Sequence, residues 1–410
     1  MADGLKQWAG NMTIEIGNYS VFLEKVAADI DIPPLKYKQA VERYGSVGRW
    51  LEEGQYAGCQ GPLAIYVQGS FRLGTVIRPV IDGIEANYDI DLVSELPIEK
   101  AVTTPKTVKT LVGDRLRDHG TYKKLLEPEG RRCWTLEYAE QDGVGFHLDV
   151  LPCVPNRTPT MDTAIAITDR DGTNYAWSAS NPRGFGAWFD GRNAVAFSRV
   201  RLEQKQELNR RFPMAFDSVD QVPDLLVRTP LQRAIQIMKR HRDERFNHKD
   251  RIGVRPISVI ITTLAARLYN NETDVLSALR GIVSKLGAHS LLVENRAMDS
   301  SIAAMNLIQR LPDGRWYIGN PSNPQENFAD RWHENNHAKA RAFFEWVRSF
   351  QQDFLSITGR EDPRLLQENL SQALGAAVVT KNFGLLVPAR PIPDAPRIQI
   401  TKPAEPWGHG

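Results

Sequence analysis

A glycine–serine turn at the end of an apolar run is the feature that most restricts how this chain can fold. The run 63–67 indicates a buried strand that breaks at Gly69-Ser70 and continues as a short helix to Thr75. Because Gly69 has no Cβ, a ligand can approach the backbone there, and the free N–H groups of a helix start favour phosphate. The turn predicts an anion-binding site, although small-residue turns between a strand and a helix are also common without one.

Two acids follow this turn on a second predicted strand. Side chains alternate along a strand, so Asp89 and Asp91 share one face while Ile90 and Leu92 point to the core. Two carboxylates on one face repel each other unless a cation lies between them. Mg²⁺ is a hard ion that takes carboxylate and phosphate oxygens, with Mn²⁺ as an alternative. A strand with a hydrated outer face is the simpler interpretation.

A third acid lies further along, in the run 146–151. Asp149 is on an apolar strand, where an unpaired charge would be costly to bury. Pairing with an arginine would explain it structurally. Together with Asp89 and Asp91 it instead suits phosphoryl transfer, with Asp149 as the base on the acceptor hydroxyl. His147 shares the face of Asp149 and is interpreted as a structural partner of a carboxylate.

Length and pattern predict an α+β protein of two lobes. The chain has 410 residues, more than one typical domain. We expect a core lobe with a mixed sheet and N-terminal helices (1–180), a helical lobe (181–386) and a proline-rich extended tail (387–410). The predicted strands are 63–67, 88–93, 122–126, 132–138 and 146–151, and 156–180 is expected to be irregular. The predicted helices are 12–53 with a break at Pro33-Pro34, 103–119, 185–210, one from Thr229-Pro230, one from Arg255-Pro256, 274–286, 338–352 and 364–374.

Charge and cysteine content narrow the class of protein. The 51 basic and 49 acidic residues give a net charge of +2, so we expect small nucleotides rather than long nucleic acid as ligands. Cys59, Cys133 and Cys153 are widely spaced and indicate neither disulfides nor a zinc site. Neither a signal peptide nor an apolar run of membrane-spanning length is evident, so we expect a cytoplasmic protein without a membrane partner.

The acids and the turn together resemble a known signature. Gln68-Gly69-Ser70, then Asp89-Ile90-Asp91, then Asp149 is similar to the pattern of polymerase-β-type nucleotidyltransferases, with a slightly long stretch between Ser70 and Asp89. Within that superfamily the chain most resembles the bacterial cyclic GMP–AMP synthase-like enzymes, the CD-NTases of CBASS antiphage operons. Four stretches outside the acid signature favour this family over the rest of the superfamily, namely residues 177–185, 237–242, 255–258 and 318–328.

The resemblance implies a polymerase-β-like lobe packed on a C-terminal helical lobe like that of oligoadenylate synthase, with the active site between them. It also implies that Lys239 and Ser258 contact the donor triphosphate and that Gln68 contacts phosphate or ribose. Lys239 lies beside the apolar stripe of its helix, and Ser258 lies in a first helical turn that attracts anions. Taken alone, a solvated lysine and a capping serine are equally good interpretations. Arg72 is either a phosphate ligand or a surface residue.

The implied activity is metal-dependent synthesis of a cyclic di- or oligonucleotide messenger from NTPs, ATP and GTP above all, with release of pyrophosphate. A separate effector protein would sense the product, and Tyr175 or Trp177 is a candidate to stack on a base. A template-free RNA or oligoadenylate-type transferase is an alternative that the near-neutral charge disfavours. A non-catalytic nucleotide-sensing module is another, which the intact acids disfavour.

The tail suggests one further partner. In some of these systems an enzyme resembling a ubiquitin-activating enzyme conjugates the synthase through its C-terminal residue. The run 406–410 ends in Gly410 on a predicted extended segment, which suits such a reaction. A loose chain end is the simpler interpretation.

Overall fold

The chain combines a mixed β-sheet with a larger set of helices in this computed structural model. The structure describes residues 12–13, 16–81, 84–85, 87–141, 144–355, 357 and 360–386. The helices are α1 (Ile16–Ile30), α2 (Pro34–Glu52), α3 (Gly69–Arg72), α4 (Pro105–Arg117), α5 (Tyr122–Leu125), α6 (Pro182–Arg211), α7 (Pro230–Arg245), α8 (Lys249–Ile252), α9 (Ser258–Leu268), α10 (Val275–Gly287), α11 (Ser300–Ala304), α12 (Glu334–Phe350), α13 (Pro363–Leu374) and α14 (Ala376–Asn382). The strands are β1 (Met12–Thr13), β2 (Ala64–Gln68), β3 (Val80–Ile81), β4 (Ile84–Glu85), β5 (Tyr88–Glu95), β6 (Trp134–Gln141), β7 (Val144–Pro155), β8 (Ile165–Asp171), β9 (Asn174–Ser180), β10 (Gln309–Arg310), β11 (Trp316–Tyr317), β12 (Gly319–Asn320), β13 (Asn323–Asn327) and β14 (Arg360–Glu361). Shorter helical turns cover Lys100–Val102, Asp224–Leu226, Ala288–Leu292, Gln351–Leu355 and Phe383–Leu385.

The mixed sheet has the strand order β2-β5-β7-β8-β9, and β6 also pairs with β7. Strands β5 and β7 are parallel, and the other pairs are antiparallel. Residues that alternate with the acids, such as Ile90 and Leu148, are buried in a cluster with α2 and α4, here called the sheet core. Because that core covers one face, the acids project from the other. The predicted α+β class with a mixed sheet is confirmed.

Two local predictions about the sheet region are wrong. The run 122–126 was expected to be a strand, but Tyr122–Leu125 is a helical turn. His119 Nδ1 accepts from the backbone N–H groups of Thr121 and Tyr122, each at 3.3 Å, and its ring stacks on Tyr122. The imidazole of His119 therefore accepts the hydrogen bonds of N–H groups that are free at a helix start. Helix propensity does not reveal such a side-chain contact.

The run 156–180 was expected to be irregular, but β8 and β9 form a hairpin within it. Gly172 adopts φ +59° at the turn between them, directly after Asp171. An Asp-Gly pair between alternating runs is a strong hairpin signal, and here it outweighs the polar composition that favours a loop. The hairpin extends the sheet to the wall of the cavity described below.

The helical predictions agree closely with the structure. The break at Pro33-Pro34 separates α1 from α2, and α7 begins with a capping box in which Thr229 and Gln232 bond each other's backbone. A second buried cluster, the helical core, joins α7, α9, α10, α12 and α13. It also contains Tyr19, Phe22 and Val26 of α1, so α1 packs on the helices rather than on the sheet. We propose a lobe division in which α1 belongs with the helical lobe.

Helix α6 connects the two cores. Phe185 and Phe189 near its start are buried in the helical core, whereas Leu208 near its end packs on the sheet core. Within the described residues, no helix is both long and apolar enough to cross a membrane. Cys59, Cys133 and Cys153 are free thiols, as predicted. The proline-rich tail 387–410 lies outside the described residues.

Candidate active site

The three predicted acids converge because β5 and β7 run side by side. Their register pairs Asp91 with Asp149 and Asp89 with His147. Alternation along parallel strands then places all three carboxylates on the face opposite the sheet core. Together they line a cavity of about 680 Å³ between the sheet and the helices, here called the first cavity.

The glycine–serine turn forms the neighbouring wall. Strand β2 ends at Gln68, which pairs with Asp91, and α3 begins at Gly69 with φ +66°. A Cβ at Gly69 would collide with Asp91 Oδ2, so glycine is required for both the backbone conformation and the contact. Gln68, Gly69 and Ser70 all line the first cavity. The predicted phosphate-binding turn therefore lies beside the acids.

The pKa values of Asp91 and Asp149 are both raised. Burial raises the pKa of Asp91 to about 7, and the charges of Asp149 and Asp89 add to the increase while Lys239 opposes it. Burial also raises the pKa of Asp149, an effect that a 2.5 Å hydrogen bond from Thr135 Oγ1 to Oδ1 opposes. Close, partly desolvated carboxylates are destabilised as anions. A cation bound between them would remove that cost.

The donor set fits a hard divalent cation. Asp89, Asp91 and Asp149 offer carboxylate oxygens only, which are the ligands that Mg²⁺ and Mn²⁺ prefer. Among the described residues, no three acidic, histidine or cysteine side chains already lie at metal-ligand spacing. The three carboxylates would therefore have to rotate inward to share an ion.

His147 pairs with acids rather than extending the metal site. Its Nδ1 lies 3.5 Å from Asp89 Oδ1, and its Nε2 lies 3.8 Å from Glu137. The hydrogen bond to Asp89 raises the pKa of the imidazole. This geometry agrees with the interpretation of His147 as a structural partner of a carboxylate.

Ser258 and Lys239 approach the acids from the helical side, at different depths. Ser258 is the first residue of α9, lines the first cavity and accepts a 2.9 Å hydrogen bond from Arg242 Nη1. Lys239 is only 4% exposed, and its Nζ donates to the carbonyl of Thr75 at 2.8 Å. Burial lowers the pKa of Lys239 to about 7, partly offset by Asp243, Asp89 and Asp91. Lys239 lines an adjoining second cavity of about 490 Å³ rather than the first.

Thr135 and the contacts of Glu326 were not predicted from the sequence. Thr135 on β6 reaches Asp149 only because β6 pairs with β7. At the far wall, Glu326 accepts hydrogen bonds from Ser180 Oγ at 3.1 Å and Asn320 Nδ2 at 2.7 Å. That network links the end of β9 to the β12–β13 hairpin. No local pattern reveals the contacts of Thr135 with Asp149 or of Ser180 with Glu326, since each joins two separate strands.

The structure shows the surroundings of Arg72, Tyr175 and Trp177, for which the sequence allowed more than one role. Arg72 lines the first cavity and forms a two-point ion pair with Asp190 of α6, its Nη2 lying 2.6 Å from Oδ2. The Tyr175 hydroxyl donates to Glu129 at 2.9 Å, and Trp177 packs against the sheet core. Phe185 and Phe328 are the aromatic side chains that line the first cavity.

Comparison with known proteins identifies relatives of this chain. Residues 20–193 match the Second Messenger Oligonucleotide or Dinucleotide Synthetase (SMODS) domain, a range that includes the turn and all three acids. The chain is 28% identical over 355 residues to a c-di-GMP synthase of Roseivirga ehrenbergii, covering 85% of this chain and 82% of that protein. The chain is therefore similar to second-messenger synthases of the kind that this domain model describes.

Two further comparisons agree with this similarity. The chain is 27% identical over 323 residues to the cyclic dinucleotide synthase CdnG of Bradyrhizobium diazoefficiens, covering 76% of this chain and 70% of CdnG. The structure of that CdnG in complex with GTP shares the fold, with a TM-score of 0.65 at 23% identity over 89% of this chain and 98% of CdnG. The resemblance inferred from the acid signature is thereby confirmed.

Proposed function

We propose that this chain is a CD-NTase that joins NTPs into a cyclic di- or oligonucleotide messenger and releases pyrophosphate at each transfer. The observation that carries the proposal is the register of Asp91 with Asp149 beside the Gly69-Ser70 turn. The names of the relatives, a c-di-GMP synthase and a CdnG bound to GTP, make GTP the first substrate to test. ATP is the second.

In the proposed reaction, an acceptor hydroxyl oxygen bonds to the α-phosphorus of the donor NTP. The bond from that phosphorus to the bridging oxygen of the β-phosphate breaks, and pyrophosphate leaves. Asp149 takes the hydroxyl proton, and Thr135 fixes the orientation of its carboxylate. Mg²⁺ held by Asp89, Asp91 and Asp149 would supply charge neutralisation and a lowered hydroxyl pKa. A second transfer, within the linear product, closes the ring.

The remaining residues have binding roles in this proposal. Ser70 and the free N–H groups at the start of α3 face the phosphates, and Gln68 contacts phosphate or ribose. Ser258 at the start of α9 and Lys239 beneath it bind the triphosphate from the other side. The two lobes therefore bind the donor between them.

The test is product identity. Purified protein is incubated with labelled GTP and ATP and with Mg²⁺, treated with phosphatase, and the product is analysed by mass spectrometry. A phosphatase-resistant cyclic product is expected. Asp89→Ala combined with Asp91→Ala should abolish it, whereas Asp220→Ala, a change at an exposed acid that lines neither cavity, should not.

Three outcomes would contradict the proposal or its assignment of the acids. A linear, phosphatase-sensitive product would favour a template-free RNA-type transferase, and nucleotide binding without product would favour a sensing module. Synthesis at the unmodified rate in the double variant would show that the acids are wrongly assigned.

Two finer proposals concern the setting of the enzyme. We propose that it acts in the cytoplasm within a CBASS antiphage system, where a separate effector senses the product. The free thiols agree with a reducing compartment. Conjugation through Gly410 also remains a proposal. Deleting residues 407–410 should leave synthesis by the purified enzyme unchanged but remove conjugates in cells.

A further inference from the structure

The far wall of the first cavity carries a carboxylate without a cationic partner. Glu326 on β13 lines this cavity together with Ser180 and Asn320. Its oxygens accept hydrogen bonds from Ser180 Oγ at 3.1 Å and from Asn320 Nδ2 at 2.7 Å. Within the part of the chain that the structure describes, no lysine, arginine or histidine forms an ion pair with Glu326. The carboxylate is therefore held in place by neutral groups.

This environment makes the negative charge of Glu326 costly. Burial raises its pKa, and the hydrogen bonds from Asn320 and Ser180 and the charge of Arg132 oppose that increase only in part. The Arg132 guanidinium donates instead to Asp169, with Nε 3.0 Å from Oδ2. A carboxylate has about four acceptor positions, so the two protein donors leave others open. N–H donors from a ligand would fill those positions and stabilise the charge.

The rest of the cavity suits a flat base near this wall. Phe185 and Phe328 both line the cavity, with ring centroids 6.1 Å apart and ring planes at 84°. Ile167 and Val259 add apolar surface to the same cavity. Aromatic and apolar walls with a few polar groups are typical of a small-molecule site. Because a carboxylate repels phosphate, the base of a nucleotide rather than its triphosphate fits beside Glu326.

Hydrogen-bond chemistry distinguishes the bases at such a carboxylate. Guanine presents N1–H and N2–H₂ side by side, two donors that match the two oxygens of one carboxylate. Adenine presents N6–H₂ beside N1, an acceptor that a carboxylate oxygen repels. Cytosine likewise pairs one donor with an acceptor, and uracil has a single N–H between two carbonyl groups. Guanine is therefore the base that this wall favours.

We propose that Glu326 is a specificity-determining residue that accepts hydrogen bonds from N1–H and N2–H₂ of guanine and so selects GTP over ATP for one of the nucleotides joined. This role rests on the proposed function and adds the identity of a base to it. Ser180 on β9 and Asn320 on β12 are positioning residues, because they hold the carboxylate from two separate segments.

Binding of two nucleotide analogues to the full chain tests this role without turnover. In these analogues of GTP and ATP a methylene group replaces the oxygen between the α- and β-phosphates, so pyrophosphate cannot leave. Measured by calorimetry with Mg²⁺, the unmodified protein should bind the guanine analogue about tenfold or more tightly than the adenine analogue. That ratio is expected for one two-point hydrogen-bonded contact with a base.

Glu326→Gln changes the pattern of donors and acceptors at nearly constant size. Its NH₂ group would face a donor of guanine but would complement N1 of adenine. The guanine analogue should bind about tenfold or more weakly than to the unmodified protein, and the adenine analogue at least as tightly as before. The amide can keep both protein contacts, since its oxygen accepts from Asn320 and the Ser180 hydroxyl can turn to accept from its NH₂. Retained binding of the adenine analogue also shows that the variant is folded.

Asp330→Asn is the matched control. It makes the same carboxylate-to-amide change at an exposed acid that lines the same cavity. The affinities for both analogues should change by the same factor, less than about threefold, because an exposed charge contributes little. Equal losses for the two analogues in Glu326→Gln, an unaltered guanine affinity in that variant, or the same change of preference in Asp330→Asn would each overturn the proposal.

The outcome for Glu326 is separate from the outcome for the proposed function. If cyclic product forms and the base preference does not depend on Glu326, the role of Glu326 is wrong while the proposed function holds. If the Glu326-dependent preference for guanine is measured but no cyclic product forms, the proposed function fails instead.

Discussion

Replacing Gly69 by alanine should inactivate the enzyme at a small cost in stability. Gly69 has φ +66°, a conformation that costs an L-residue about 1–2 kcal/mol. The new Cβ would also collide with Asp91 Oδ2, so the carboxylate must move away from the turn. Misplacement of a reacting group by about 1 Å can reduce the rate about 100-fold. We therefore expect the free energy of unfolding to fall by about 1–2 kcal/mol and kcat to fall about 100-fold.

Gly172→Ala separates the two effects. Gly172 has φ +59°, but no atom lies within 4 Å of a Cβ built there, and it is at the turn of the β8–β9 hairpin rather than in the cavity. The same backbone cost is expected without loss of kcat. Urea denaturation and steady-state product formation on both variants provide the comparison. Full activity in Gly69→Ala, or equal loss of activity in Gly172→Ala, would refute the argument that contact with Asp91 demands glycine.

Two further predictions concern the acids. Thr135→Val removes the hydroxyl that lowers the pKa of Asp149. The acidic limb of the kcat–pH profile should therefore move to higher pH, and kcat should fall about 10- to 100-fold, with recovery in Thr135→Ser. An unmoved acidic limb would argue against Asp149 as the base. Burial raises the pKa of Asp91 to about 7, so its charge destabilises the folded state as the pH rises from about 4 through 7. Asp91→Asn should therefore increase the free energy of unfolding at pH 8 in EDTA by on the order of 1–3 kcal/mol while abolishing turnover. A loss of stability in this variant would show that the Asp91 carboxylate is stabilised by another group.

Local patterns were sufficient to predict most helices and the chemical character of the site. The Thr229-Pro230 cap, the break at Pro33-Pro34 and the strand–turn–helix at Gly69 are all determined by neighbours in the sequence. The alternation of Asp89 and Asp91 likewise ensures that both face the same side of β5 wherever that strand packs. The predicted strand at 122–126 is wrong because a His119 side chain caps a helical turn there. The predicted irregular segment at 156–180 is wrong because a hairpin forms within it.

The sequence by itself determined which groups could bind a metal and a phosphate, because residue type and strand periodicity are local properties. Only the tertiary structure decided where they meet. The pairing of Asp91 with Asp149 depends on β7 lying parallel to β5, and the positions of Thr135, Lys239 and Ser258 depend on the packing of β6, α7 and α9. The physical reason is that register and packing between distant segments follow from burial of the whole apolar surface, a free energy that no single stretch of sequence contains.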